Sequence, residues 1–269
     1  MYETILTDET DAVGIVTLNR PERMNAWTPR MGAELRHAVT AFDSRDDIRV
    51  IVVTGAGRAF CAGADISDEA QSDRSGGESL VEKEVPFWQM NTPIIAAMNG
   101  AAVGVGITLA IQFDFRVMAE DAKYGFVFNR RGLLPELGST WIVPRLVGLA
   151  KAMDLLLTAR IFNGAEAAEM GLANLAVPAE SVLDRAMDLA RDIAVNVAPA
   201  SASLTKLLLN AFLVEPDREK AEAIEHDLFA WTLSQEDAKE GIAAFFEKRT
   251  PQWKHSKHQL PEDLLGGLG

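Results

Sequence analysis

Two uninterrupted apolar stretches, each closed by a glycine, limit what this chain can fold into. Residues 50–55 read VIVVTG, and residues 93–99 read PIIAAMN just before Gly100. Neither alternates apolar with polar side chains, so both read as buried strands rather than half-exposed ones. Residues 3–6 and 14–19 are short strands rich in β-branched side chains, separated by a polar turn at 7–11. Residues 29–44 form an amphipathic helix, with Thr28 as N-cap, Pro29 at the first helical position, and Met31, Leu35, Ala38, Val39 and Phe42 on one face. Residues 105–112 form a short apolar helix after the small-residue turn at 100–106, and residues 115–119 a further strand. The β-β-α unit therefore recurs, which implies a wound, layered α/β architecture.

The intervening segments are less regular. Residues 60–66 read as an irregular loop. Residues 67–84 are polar and acidic, a mobile surface segment leading into a helix around 80–90. From residue 150 onward the pattern is mostly helical, with helices at 151–158, 164–170, 181–195, 200–212, 217–233 and 236–248 and one short strand at 175–178. Residues 266–269 are a frayed tail. No linker separates two independent domains.

Composition excludes several classes of function. The 269-residue chain carries a net charge of −13, which repels nucleic acid. No apolar run reaches the roughly 18 residues that span a membrane, and residues 1–10 lack a signal pattern. One cysteine, Cys61, excludes an internal disulfide framework and fits a reducing cytoplasm. His37, His226, His255 and His258 form no metal-ligand cluster with Cys61.

Two segments carry chemistry. Residues 59–66, AFCAGADI, follow the first buried strand directly, and their small side chains let a ligand approach the backbone. An ordinary strand-to-loop turn would look the same. Residues 99–106, NGAAVGVG, open a helix whose first N–H groups are free for an anion or oxyanion. Tight helix-on-strand packing would also want these glycines. The segment lacks the third glycine of a dinucleotide fingerprint.

Taken together, TGAGRAFCAGADI and PIIAAMNGAAVGVG resemble the signature pair of the enoyl-CoA hydratase/isomerase (crotonase) superfamily. The resemblance continues through DFRVMA at 114–119, GLLPELGSTWIVPRLVG at 132–148, AEAAEMGLANLAV at 165–177 and EGIAAFFEKRTPQW at 240–253. It implies a crotonase spiral core over residues 1–200 and a C-terminal helical trimerisation region over 201–269, in a homotrimer or a dimer of trimers. It implies an acyl-CoA thioester substrate, with coenzyme A arriving as part of that substrate and no metal or redox cofactor.

By the same resemblance, the backbone N–H groups of Ala64 and Val105 form an oxyanion hole. The second position is commonly glycine in the family, and the Cβ of Val105 crowds it. Arg23, in PERMNA, falls where the family contacts the CoA phosphates. Ala62, Asp65 and Ile66 line the adenine and pantetheine path. Lys248 falls where a neighbouring subunit completes the CoA site. Each basic residue has the alternative of a solvated surface charge. Asp65 is read as fixing the oxyanion loop, and Cys61 as a packing residue. Phe87, Met90, Phe126, Phe128 and Trp141 are the expected acyl-pocket wall, with plain core packing as the alternative. Arg130 and Arg131 read as contacts to an acidic acyl tail or to CoA, or as a structural ion pair.

The catalytic acid decides the reaction. Hydratases of the family use two glutamates, and here those positions hold Thr108 and Phe128. Neither moves a proton near neutral pH. Glu136, in LPELG, stands where the family's isomerases keep a single catalytic glutamate. A lone carboxylate suits transfer of a proton from C2 to C4, and burial among Leu133, Leu134, Leu137 and Trp141 would raise its pKa. The alternative is that Glu136 merely decorates a helix N-terminus. Three readings stay open: a 3-enoyl-CoA to 2-enoyl-CoA isomerase; a hydratase of modest rate or another thioester enzyme, a hydrolase or a decarboxylase; and a non-catalytic acyl-CoA-binding protein.

Overall fold

The computed structural model describes residues 2–67 and 85–266. The polar segment from 68 on and the first half of the helix expected around 80–90 lie outside the described residues. What is described of that helix is a single 3-10 turn, Phe87–Gln89, set between Pro86 and Pro93.

Among the described residues nine strands build two sheets. The larger contains β1 (Ile5–Thr10), β2 (Val13–Leu18), β3 (Val50–Gly55), β5 (Ile94–Met98), β7 (Phe115–Ala119) and β9 (Leu175–Val177), in the order β1-β2-β3-β5-β7-β9. β1 and β2 are antiparallel and every later pairing is parallel. The smaller sheet is formed by β4 (Ala59–Cys61), β6 (Ala101–Val103) and β8 (Tyr124–Gly125). Each of β3, β5 and β7 is followed by a short strand of the second sheet, so the chain winds between two sheets as the β-β-α pattern implied. This is the crotonase spiral.

The two apolar runs are buried throughout, because the sheet is covered on both faces. Val50, Val52, Ile95 and Ala97 face α6 (Val182–Asn196) and pack on Val182, Ala186, Met187 and Ala190. Ile51, Val53, Ile94 and Ala96 face the opposite way and share a core with Met31, Leu35, Val39 and Phe42 of α1 (Pro29–Asp43). The Thr28 side chain accepts from the Met31 N–H, capping α1 as expected. Further helices follow as α2 (Val105–Ala110), α3 (Ser139–Val147), α4 (Leu149–Thr158) and α5 (Gly164–Glu169). Beyond α6, α7 (Pro199–Ala211), α8 (Arg218–Ser234), α9 (Glu236–Glu247) and α10 (Glu262–Leu265) form the C-terminal helical region.

Three expectations need correction. The polar turn at 7–11 is mostly strand. β1 runs to Thr10 and turns on Asp11 and Ala12, both at positive φ. It is an edge strand, so the ladder to β2 satisfies its backbone while its polar side chains face water. The loop at 60–66 begins as β4, and the turn at 100–106 contains β6. Strands this short carry no readable periodicity, and their pairing with each other defines them.

Candidate active site

The site grows from the contact between β4 and β6. Gly106 is packed so closely on β4 that a Cβ there would stand 2.1 Å from the Cys61 carbonyl oxygen. Gly104 adopts φ 58°, which a side chain would strain, and a Cβ on it would lie 4.0 Å from Gly63 Cα. The residues that follow these two glycines are Ala64 and Val105. The Gly104 carbonyl accepts the N–H groups of Ile107 and Thr108, which leaves the Val105 N–H at the open end of α2. Ala64 forms a parallel bridge with Trp27. The Trp27 N–H donates to Gly63 and the Asp65 N–H donates to Trp27, so Ala64's own N–H points to the other side. Neither the Ala64 nor the Val105 N–H has a backbone acceptor among the described residues.

The Ala64 segment is held by residues that the sequence reading passed over. The Arg20 guanidinium meets the Asp65 carboxylate at 2.8 Å and also donates to the Ala26 carbonyl. Asn25, fully buried at φ 53°, donates to the carbonyls of Ala56 and Ala59 and accepts the Arg20 N–H. An asparagine in left-handed backbone two residues before a tryptophan is a weak signal, yet it fastens the PERMNA loop to β4. Hydrogen bonds from Ser67, with the Arg20 guanidinium beside it, hold the Asp65 carboxyl down at about 2. Asp65 is therefore an ionised anchor at neutral pH, in keeping with its expected role of fixing the loop. Burial pushes the Cys61 thiol up to about 11, as befits a packing residue.

On the other side of Val105, Phe128 is half-buried, with its ring edge 4.0 Å from where a Gly104 Cβ would be. Thr108 is fully buried on α2, and its Oγ1 lies 3.5 Å from Glu136 Oε1. Ala62, Ala64, Asp65, Val105, Thr108, Phe128 and Glu136 thus belong to one neighbourhood. Trp141 lies one turn into α3, half-exposed under the Arg145 guanidinium, which stacks 3.8 Å from its ring centroid. Ile66 is exposed. Arg23 is exposed on the 3-10 turn Pro21–Arg23, whose next residue, Met24, accepts the Ala62 N–H. Lys248 caps α9 in left-handed backbone, in the C-terminal region.

The expected burial of Glu136 does not hold. Glu136 is exposed, and Leu133, Leu134, Leu137 and Trp141 stand open beside it, Leu134 at 80% exposure. The loop from 132 to 138 rests on the fold through buried Pro135, while its leucines and Glu136 stay at the surface. Phe126, Met90 and Phe87 lie in the packed main core, Phe87 edge-on to Phe113. Arg130 and Arg131 donate to the main-chain carbonyls of Thr158 and Val127, and neither forms an ion pair among the described residues. A cleft of about 420 Å³ opens between α7, α8 and α9, lined by Phe229, Trp231, Ile242 and Trp253 among others, and by none of these site residues. Among the described residues no group of three or more His, Cys, Asp or Glu side chains is arranged to hold a metal ion. No helix of the described residues is long and apolar enough to cross a membrane.

The sequence matches the family profile described as enoyl-CoA hydratase/isomerase over residues 8–257. The chain belongs to the enoyl-CoA hydratase/isomerase family. It is 38% identical over 258 residues to a probable enoyl-CoA hydratase, echA8, of Mycobacterium tuberculosis, a match covering 94% of this chain and 99% of that one. It is 33% identical over 261 residues to a 1,2-epoxyphenylacetyl-CoA isomerase of Escherichia coli, with 94% and 99% covered. A crystal structure of a probable enoyl-CoA hydratase/isomerase from Mycobacterium abscessus superposes with TM-score 0.85 at 38% identity, covering 95% of this chain and 100% of that one. The protein is thus an enzyme of the hydratase/isomerase family, whose members act on acyl-CoA thioesters.

Proposed function

We propose that this enzyme converts 3-enoyl-CoA to 2-enoyl-CoA with Glu136 as its single acid/base. The observation that carries the reading is the approach of Glu136 Oε1 to Thr108 Oγ1, at 3.5 Å. It sets a carboxylate beside the helix that opens on the Val105 amide. The carboxylate takes the C2 proton. The electron pair moves into the thioester carbonyl, whose oxygen accepts hydrogen bonds from the Ala64 and Val105 N–H groups. The acid then returns the proton at C4, and the double bond comes to rest between C2 and C3. Thr108 and Phe128 supply neither of the paired glutamates that water addition uses. The likeness to an enzyme named as an isomerase supports the same direction.

Ala62, Asp65 and Ile66 line the CoA path in this reading, Arg23 meets its phosphates, Lys248 completes the CoA site of a neighbouring subunit, and Phe128 and Trp141 flank the acyl chain. The route needs no metal or redox cofactor. Exposed Phe229, Ile242, Phe245 and Phe246 on α8 and α9 support a homotrimer or a dimer of trimers. The single cysteine and the charge of −13 support a cytoplasmic protein that does not bind nucleic acid.

A second reading, hydration at modest rate, is favoured by the names of the probable hydratases among its relatives. Two substrates separate the two. Incubation with a 3-enoyl-CoA should yield the conjugated 2-enoyl thioester, and Glu136→Gln should slow this by about a hundredfold or more. Wild-type turnover by Glu136→Gln removes Glu136 from the mechanism. Supplied instead with a 2-enoyl-CoA, an enzyme that returns a product heavier by one water, and leaves the 3-enoyl-CoA unchanged, is the hydratase. Tight CoA binding without turnover of any substrate marks a binding protein.

A further inference from the structure

Thr108 is fully buried on α2, and its hydroxyl oxygen has three oxygens around it. The Gly104 and Val105 carbonyls each lie at 3.3 Å, and Glu136 Oε1 lies at 3.5 Å. A hydroxyl has one proton and two lone pairs, so it donates to one of the three and accepts from elsewhere. One turn further along the chain, the Gln112 side-chain amide donates to the carbonyl of Leu137, the residue after Glu136, and lies 3.5 Å from the Thr108 carbonyl. Leu137 and Gly138 both adopt left-handed backbone, at φ 50° and φ 68°. A leucine is held in that conformation only where its surroundings over-determine it. Gln112 supplies such a hold directly behind the glutamate.

We propose that Thr108 and Gln112 are positioning residues for Glu136, and that the Thr108 hydroxyl rotates to match each protonation state of that carboxyl group. This rests on the reading of Glu136 as the acid/base. While Glu136 is a carboxylate, Thr108 donates to it. Once Glu136 holds the proton from C2, its O–H donates to Thr108 Oγ1, and the threonine proton turns to the Val105 or Gly104 carbonyl. Thr108 gains and loses no proton. The one proton in transit passes from C2 to Glu136 and on to C4. A side chain that serves both states suits a single-carboxylate enzyme, because the same group must be held in place as base and then as acid. Gln112 fixes the loop so that the carboxyl group stays within reach of the rotor.

The test uses the whole protein and a 3-enoyl-CoA substrate. Thr108→Val keeps the shape and removes the hydroxyl, and should lower kcat about tenfold while KM stays within about twofold. Thr108→Ser restores the hydroxyl and should recover most of kcat. Gln112→Met, at a half-buried position that does not threaten folding, should lower kcat about threefold with an unchanged melting temperature. Wild-type kcat in Thr108→Val and Gln112→Met overturns the proposal. So does a Thr108→Ser variant as slow as Thr108→Val, which would assign the effect to packing. If Thr108→Val does not fold, Gln112→Met decides alone. Glu136→Gln is run beside them. If it is slow while Thr108→Val and Gln112→Met are not, only the positioning proposal falls; if it keeps wild-type turnover, the acid/base reading falls and takes this one with it.

Discussion

The Arg20 guanidinium and the Asp65 carboxylate meet at 2.8 Å, joining the loop before α1 to the segment that carries the Ala64 amide. Asp65 is held ionised down to about 2, below the ordinary carboxylate range near 3.8. A depressed carboxylate stabilises the fold fully above its unfolded pKa, and that contribution fades as pH falls through the folded value. Melting curves of wild type and Asp65→Asn should therefore converge between about pH 4 and pH 2. Parallel curves across that window would show that the pair does not carry the linkage. Arg20→Ala should cost about 2 kcal/mol at neutral pH, read from urea unfolding.

Val105 occupies the first position of α2, where proline is tolerated because the N–H has no helical partner. Val105→Pro should remove the hydrogen-bond donor and little else. We expect kcat on a 3-enoyl-CoA to drop by about a hundredfold, with the circular dichroism spectrum and melting temperature close to wild type. A variant that folds normally and turns over normally would remove Val105 from the oxyanion hole.

What could be read in advance was whatever the chain encodes locally. The runs at 50–55 and 93–99 have no polar side to expose, so their burial follows from composition. Thr28 and Pro29 announce α1 because capping involves only neighbouring residues. β1 escaped because Thr7–Thr10 become strand only through the ladder to β2. β4, β6 and β8 escaped because two or three residues show no periodicity. In the candidate site, Ala64 and Val105 were singled out through motif resemblance. Arg20 and Asn25 were missed, since their partners at Asp65, Ala56 and Ala59 are far away in sequence. The exposure of Glu136 depends on how the loop from 132 to 138 rests on the body of the chain, which no local pattern records.

Lys257 is buried where the end of α1 meets β5. Its Nζ donates to the Ile48 carbonyl at 2.7 Å and the Thr92 hydroxyl at 2.6 Å. Burial pushes the ammonium down to about 8, against the opposing pull of Asp43, Asp46 and Asp47 and with the help of Arg45. Between about 8 and the ordinary 10.5 the unfolded chain holds a proton that the folded chain has released, so folding grows more favourable as pH rises through that window. The melting temperature of wild type should climb relative to Lys257→Met from pH 7.5 to about pH 10. A constant difference between the two would rule out this titration.

Phe245 and Phe246 are 78% and 77% exposed on α9, beside exposed Ile242. Two such rings in water are costly unless another surface covers them. Phe245→Glu combined with Phe246→Glu should shift the mass measured by light scattering from an assembly to the monomer. An unchanged mass would place the subunit contact elsewhere.

The two amides beside Gly63 and Gly104 belong to the polypeptide backbone, and every residue type except proline provides one. Exchange of side chains at 64 and 105 leaves such donors in place, so a valine at 105 keeps the donor that a glycine there would provide. In the proposed mechanism, mutation is then free to rewrite the side chains at 108, 128 and 136 without dismantling the part that would tolerate the developing charge. A lineage built this way would change its chemistry by small steps while its grip on the thioester persists.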